Sequence, residues 1–298
     1  MEGPTLVTGA GGFVGRHLLA ELGDAAAPTD ADVTDPAAIA QALTEAKPGA
    51  IVHLAALSSV ADSWGTIAEV WRVNVLGTVT LLQAVKLVSP EARVLFASTG
   101  QVYGVAKDSP TPEDAVIAPI SPYAASKAAA EIAGAQARVD GLDIVIARAF
   151  QHEGPGRDER FAIGSWTRQI AELESTGGGA LKVGDLSAQR DITDVRDVVR
   201  AYRELLDPSV PAEAYNVSSG SVVSMQEVVE KLVAMAQVPV TIEVDPGRSR
   251  PTDLPVVCGD ASKLTAATGW QPRIPLDQTL ADALEHTRAA VAERMAKA

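Results

Sequence analysis

Several things are scarce in this 298-residue chain. There is one cysteine, so no internal disulfide can form and a reducing compartment is expected. Aromatic residues make up 4% of the chain, so the core must be built from Ala, Val, Leu and Ile. No apolar run reaches the roughly 18 residues needed to cross a bilayer. Met1 to Pro4 leads straight into a strand-like run, with no basic region ahead of an apolar stretch, so no signal peptide is expected. Basic residues are in deficit, 25 Lys and Arg against 38 Asp and Glu, for a net charge of −13. Such a surface repels phosphate backbones and anionic lipid, which argues against nucleic acid or membrane as general partners. It still allows a local basic site for a small anion. No His, Cys and Asp cluster has metal-ligand spacing, so no metal is expected. The remaining balance, 47% hydrophobic and 21% charged, excludes a disordered chain and fits a globular, cytoplasmic protein.

Strand and helix patterns alternate through the first half. Thr5 to Thr8, Ala50 to Ala55, Arg93 to Ala97 and Asp143 to Ala147 are short apolar runs. Between them, residues 36–46, 67–88 and 123–139 show helical spacing. Continuous apolar strands separated by helices predict a parallel, doubly wound α/β sheet covered on both faces. The second half is mixed. Residues 151–165 are loop-like, and Gly177 to Gly179 break the chain. A helix near 195–206 and a strand at Ala214 to Val217 return to the sheet. A helix at 224–236, a strand at Val240 to Val244 and a closing helix at 276–296 follow. The pattern predicts a dinucleotide-binding domain of residues 1–150 plus about 190–218, interleaved with a smaller α/β substrate domain of about 151–189 plus 219–298.

The segment from Thr8 to Gly15 lies between the first strand and the first helix. Gly9 permits the tight turn, Gly12 lets backbone approach a pyrophosphate, and Gly15 lets helix and strand pack closely. Phe13 and Val14 begin the helix, whose free N–H groups and dipole favour phosphate. Residues 24–30 leave room only for a stunted second strand. Asp30 is the candidate for the adenine ribose, which favours NADH, and Asp32 with Val33 for adenine-side contact. A capping role fits both acids equally well. No Arg follows that strand to hold a 2′-phosphate, and Arg16 is the only near substitute.

Ser121 and Pro122 open a helix in which Tyr123 and Lys127 are one turn apart on one face. A phenol titrates near 10 in isolation, and a neighbouring ammonium stabilises its phenolate. The pair therefore suits proton transfer beside a hydride carrier. Thr99 ends the strand at 93–97, where open α/β sheets bind ligands, and can hydrogen-bond a substrate oxygen. The lesser alternative is that Ser98 or Thr99 merely caps that strand end.

Together these residues resemble the extended short-chain dehydrogenase/reductases that act on nucleotide sugars. The shared segments are the Gly9/Gly12/Gly15 loop, Asp32-Val33, His53-Leu54-Ala55-Ala56, Asn74 to Thr78, Ser98-Thr99 with Tyr103-Gly104, and Tyr123-x-x-x-Lys127. The resemblance implies a catalytic trio of Thr99, Tyr123 and Lys127, and NADPH or NADH as cofactor. It also implies Leu54, Ala55, Ala56 and Phe150 beside the cofactor, and Asn74 supporting the active-site helix on the cofactor side. The 4,6-dehydratases of this family carry an acid and a base after the catalytic Thr. Here Gly100 and Gln101 stand there, and neither can shuttle a proton.

In the second half, the runs 148–156, 182–186, 190–198, 250–253 and 268–272 look like the GDP-mannose branch, and most like reductases of GDP-4-dehydro-6-deoxy-D-mannose. That implies Arg190 and Arg250 on a diphosphate, Asp253 on a ribose hydroxyl, and Ser58, Gln101 and Gln151 on the sugar side. Arg is apt because its planar fork bonds phosphate oxygens in pairs. Gln151 replaces the usual Asn, and the short second strand lacks the Arg-bearing loop of NADP-using relatives. The expected reaction is reduction of a 4-keto group to give a GDP-6-deoxyhexose such as GDP-D-rhamnose. The alternatives are a nucleotide-sugar 4-epimerase with tightly held NAD and a non-catalytic dinucleotide sensor. By the same resemblance, helices 67–88 and 123–139 pair with a second copy in a homodimer. Elsewhere, Arg196 and Arg200 are expected on a solvated helix face, and His53 in the core. His152 is a looser candidate near the sugar. Cys258 is expected to be inert, and Trp64, Trp71, Trp166 and Trp270 to be packing groups.

Overall fold

The computed structural model describes residues 3–248 and 254–297. Its first part runs β1 (Thr5–Thr8), α1 (Phe13–Leu22), β2 (Ala26–Thr29), α2 (Pro36–Ala46), β3 (Ala50–His53), α3 (Val60–Ser63), α4 (Ile67–Trp71), α5 (Gly77–Val88), β4 (Arg93–Thr99), α6 (Pro122–Val139) and β5 (Ile144–Ala149). The remainder adds β6 (Gln151–Glu153), α7 (Ala162–Thr176), β7 (Gly179–Val183), β8 (Gln189–Arg190), β9 (Ile192–Asp194), α8 (Val195–Leu205), β10 (Ala214–Val217), β11 (Val223–Ser224), α9 (Met225–Ala234), β12 (Val240–Val244), β13 (Val256–Val257), α10 (Ser262–Thr268) and α11 (Leu276–Lys297).

Six strands form one parallel sheet in the order β10-β5-β4-β3-β1-β2. The predicted doubly wound fold is present, and β10 returns to the sheet as expected. β1, β3 and β5 are buried along their whole length, which is why they read as unbroken apolar runs. The short β2 is an edge strand, mostly half-buried, and contains Pro28, a residue without an N–H that strands tolerate at an edge. Elements after β5 pack a separate core around Trp166, Ile170, Val183, Leu232 and Leu284.

Four expectations need correction. The predicted helix 67–88 is two helices joined by a π-helical turn, Arg72–Leu76, a geometry often found at functional sites. Residues 151–165 are not all loop, since they contain β6 and the start of α7. Arg196 and Arg200 do not form a solvated face. Arg196 pairs with Asp194 and Asp282 (2.8 and 2.7 Å), while buried Arg200 pairs with Asp197 and donates to Gln271 O (2.6 and 2.5 Å). Trp166 and Trp270 are buried packing groups, but Trp64 and Trp71 are 50% and 40% exposed.

Candidate active site

One large cleft of about 830 Å³ opens at the C-terminal ends of the sheet strands. Gly9, Gly12, Phe13, Val14 and Gly15 form one wall, with Leu54, Ala55 and Ala56 from the end of β3. Gly9 has φ +68, and a Cβ there would stand 2.7 Å from Ala55 N. A Cβ on Gly15 would collide with the carbonyls of Gly9 and Ala10. Gly12 caps α1 without any side-chain hydrogen bond, so the first N–H groups of the helix are left for a ligand. This uncapped helix end above a glycine cradle fits a dinucleotide pyrophosphate.

The adenine-side candidates separate. Asp30 and Asp32 are exposed beyond β2, outside the enclosed cleft. Asp32 Oδ1 accepts from Thr34 N and Oγ1 (2.9 and 2.8 Å) in a loop turn, while the cap of α2 is Asp35. Val33 is 4% exposed and packs in the core, so its side chain is not offered to a ligand. The Asn74 side chain does not line the cleft but supports the active-site helix, as the resemblance implies. It sits in the π-helical turn and spends its amide on Leu57 N (2.8 Å), Leu57 O (3.1 Å) and Ser126 Oγ (2.9 Å). Asn74 thus braces the loop after β3 against α6.

Thr99, Tyr123 and Lys127 line the same cleft. Ser121 Oγ accepts from Ala124 N (3.2 Å) and Pro122 occupies the first turn, so the helix start is fixed just before Tyr123. Burial pushes the Tyr123 phenol up to about 12, while the Thr99 hydroxyl and then the Arg157 guanidinium pull the other way. Lys127 is 3% exposed, with its ammonium 4.2 Å from the centre of the Phe96 ring. Burial brings it down to about 7, opposed by Glu131. His53 is a satisfied core group as expected. It bonds Thr8 and Thr78 (2.8 and 3.1 Å), and burial followed by the Lys127 charge lowers it to about 3.

Behind the trio runs a buried polar chain. Glu131 Oε2 pairs with Arg148 Nη2 at 2.8 Å, and its Oε1 accepts a short bond from Ser98 Oγ. Arg148 Nη1 donates to Tyr103 Oη (2.8 Å), which donates to Asn216 Oδ1 (2.7 Å). The network ties β4, β5 and β10 to α6 and fixes the strand end that presents Thr99.

On the opposite wall lie Ser58, Gln101, Phe150, Gln151, His152 and Arg190. Arg190 Nη1 donates to Gln189 O and Leu254 O (2.8 and 2.6 Å). Arg250 and Asp253 lie outside the described residues. The Phe150 ring occupies the space beside Gly100, where a Cβ would meet three ring atoms at 2.8 Å. Burial lowers His152 to about 4, its Nδ1 bonds Phe150 O (2.9 Å), and its ring stacks on Phe13 at 6.2 Å. Sequence reasoning missed Glu153, Arg157 and Arg248, which also line the cleft. The Gly- and Arg-rich composition of 151–165 was the available signal for the first two. Cys258 is buried, and burial pushes its thiol up to about 11. Among the described residues no His, Cys, Asp and Glu group could hold a metal, and no helix is long and apolar enough to cross a membrane.

The sequence profile of the GDP-mannose 4,6 dehydratase family matches residues 23–283. The chain belongs to this family. A GDP-6-deoxy-D-mannose reductase of Pseudomonas aeruginosa is 37% identical over 285 residues, covering 92% of this chain and 93% of that protein. A UDP-glucose 4-epimerase of Mycolicibacterium smegmatis is 31% identical, covering 95% of this chain and 98% of its own. Among solved structures, RMD from Pseudomonas aeruginosa complexed with NADPH matches with a TM-score of 0.90 and 36% identity, over 97% of this chain and 99% of that one. Within the GDP-mannose 4,6 dehydratase family, then, this chain combines the trio with a cleft wall in which position 100 has no side chain.

Proposed function

We propose that this protein is an NAD(P)H-dependent oxidoreductase that reduces the 4-keto group of GDP-4-dehydro-6-deoxy-D-mannose, giving a GDP-6-deoxyhexose such as GDP-D-rhamnose. The observation that carries this reading is the strand end at Thr99. The trio converges on one cleft, the next two residues are Gly100 and Gln101, and Phe150 fills the space a side chain at 100 would need. Elimination of water needs an acid and a base that these positions do not supply. The 37% identity to a GDP-6-deoxy-D-mannose reductase supports the same reaction.

Gly9, Gly12 and Gly15 would hold the pyrophosphate of the reduced dinucleotide, which would supply the hydride. Thr99 donates a hydrogen bond to the carbonyl oxygen, and Tyr123 hands its proton to the alkoxide that develops there. Lys127 anchors the ribose side of the same half of the cleft. Incubation of the purified protein with the keto sugar and NADPH or NADH should oxidise the cofactor, and no turnover would remove the reading. Similarity to a UDP-glucose 4-epimerase favours one second reading, a 4-epimerase that keeps NAD bound. An absorbance spectrum of the purified protein separates the two, because only the epimerase carries cofactor through purification.

The same proposal assigns Asp30 to the adenine ribose and Arg190, with Arg250, to the diphosphate. It divides the chain into a dinucleotide domain of residues 1–150 plus about 190–218 and a substrate domain from the rest. Exposed Leu76 and Leu87 at and along α5, with Ile132 and Val139 along α6, form apolar faces (59%, 84%, 70% and 88% exposed) that support a homodimer. A cytoplasmic location fits the single cysteine.

A further inference from the structure

Glu153 follows Gln151 by two residues in β6, so both side chains leave the strand on one face, and both line the cleft. Glu153 is 1% exposed. Its Oε1 accepts from Gln151 Nε2 at 3.2 Å. Its Oε2 has no hydrogen-bond partner and meets Arg157 Nε only at 3.5 Å, and that nitrogen also lacks a hydrogen bond. Arg157 cannot simply swing closer, because its guanidinium lies 3.6 Å from the centre of the Phe161 ring and 4.9 Å from that of Phe13. The arrangement balances charge while leaving one carboxylate oxygen uncoordinated inside a cleft. Buried acceptors rarely stay unfilled, since losing water without gaining a partner is costly.

We propose that Glu153 accepts a hydrogen bond from a hydroxyl of the substrate's hexose and, with Gln151, sets how the sugar lies against Thr99 and Tyr123. This rests on the nucleotide-sugar reading of the cleft and adds a specificity-determining residue to it. An ionised carboxylate only accepts, so it selects hydroxyl donors and repels phosphate or carboxylate. The neighbouring amide both donates and accepts. An acceptor and an amide side by side match two adjacent hydroxyls of a sugar ring. Burial pushes the Glu153 carboxyl above the usual carboxylate range, and Arg157 beside it, with Gln151, pulls the other way toward the ionised form. The cations Arg190 and Arg248 stand on other elements of the cleft.

Calorimetric titration of the purified full-length protein with GDP and with GDP-mannose tests this. The wild type should bind GDP-mannose more tightly than GDP. Glu153→Gln and Glu153→Ala should lose about ten- to a hundredfold of that sugar-dependent gain while keeping the affinity for GDP. An unchanged gain, or an equal loss of GDP affinity, would overturn the inference in favour of a purely structural role. A parallel series needs no variant. Among GDP-mannose analogues lacking single sugar hydroxyls, at least one should bind wild type about tenfold more weakly, and uniform affinities would overturn the inference. If wild type binds neither GDP nor GDP-mannose, the nucleotide-sugar reading itself fails first.

Discussion

Glu131 holds Arg148 through paired hydrogen bonds on one side and accepts from Ser98, the residue before Thr99, on the other. One carboxylate thereby links the helix of Tyr123 and Lys127 to the strand that ends at Thr99. Both members of the ion pair are under 10% exposed. Glu131→Gln leaves a buried guanidinium unpaired and should destabilise the fold by about 3–5 kcal/mol. Ser98→Ala removes a single bond and should cost about 1 kcal/mol. Urea unfolding of the two variants measures the difference, and near-equal midpoints would contradict this account.

Tyr123→Phe should lower the reduction rate by about 100- to 10,000-fold. The phenyl ring keeps the packing, so NADPH binding and the melting temperature should stay close to wild type. If the wild type shows no turnover and every ligand response survives the substitution, a dinucleotide-sensing role becomes the better account.

Lys127 makes stability depend on pH. Its value falls from 10.5 unfolded to about 7 folded because burial disfavours the charge, although Glu131 opposes this. Below about 7 both states hold the proton, and above 10.5 neither does. Between these limits the unfolded chain binds the proton that the folded chain releases, so unfolding free energy rises with pH. Denaturation of wild type and Lys127→Met at pH 7, 8.5 and 10 should show wild type gaining on the variant as pH rises. Parallel curves would mean that the ammonium is not desolvated.

Gly100→Ala places a methyl group against the Phe150 ring, where ring atoms stand 2.8 Å from the Cβ position. Overpacking of this kind costs about 1–3 kcal/mol. Phe150→Leu in the same chain should recover part of the loss. A double-mutant cycle by thermal melting reads the coupling, and strict additivity would mean that the two residues do not compete for space.

Ile132→Glu should convert a homodimer to a monomer without changing the monomer's melting behaviour. Ile132 and Val139 share one exposed face of α6 two turns apart, and neither supports the core. Light scattering on both proteins decides, and a wild-type particle of monomer mass would remove the dimer.

The sheet and the trio were legible because their causes are local. β1, β3 and β5 are buried along their whole length, and Ser121-Pro122 announces α6. Beyond β5 the larger elements α9, β12 and α11 were legible too, but the short pairings were not. β8, β11 and β13 are two residues long and exist through pairing with distant segments. α7 begins after Phe161 without a side-chain cap, so no start signal marks it. The burial of Arg200 depends on Gln271, far along the chain. Glu153 escaped notice for the same reason, since a three-residue strand leaves too little alternation to read.

The proline at the rim of the main sheet has a consequence for handling the protein at high concentration. Pro28 interrupts the row of donors on the outermost strand, so a strand from a neighbouring molecule finds a gap where it would need a continuous ladder. A single imide thus discourages edge-wise polymerisation, and replacing it to lengthen that strand would expose the protein to filament growth.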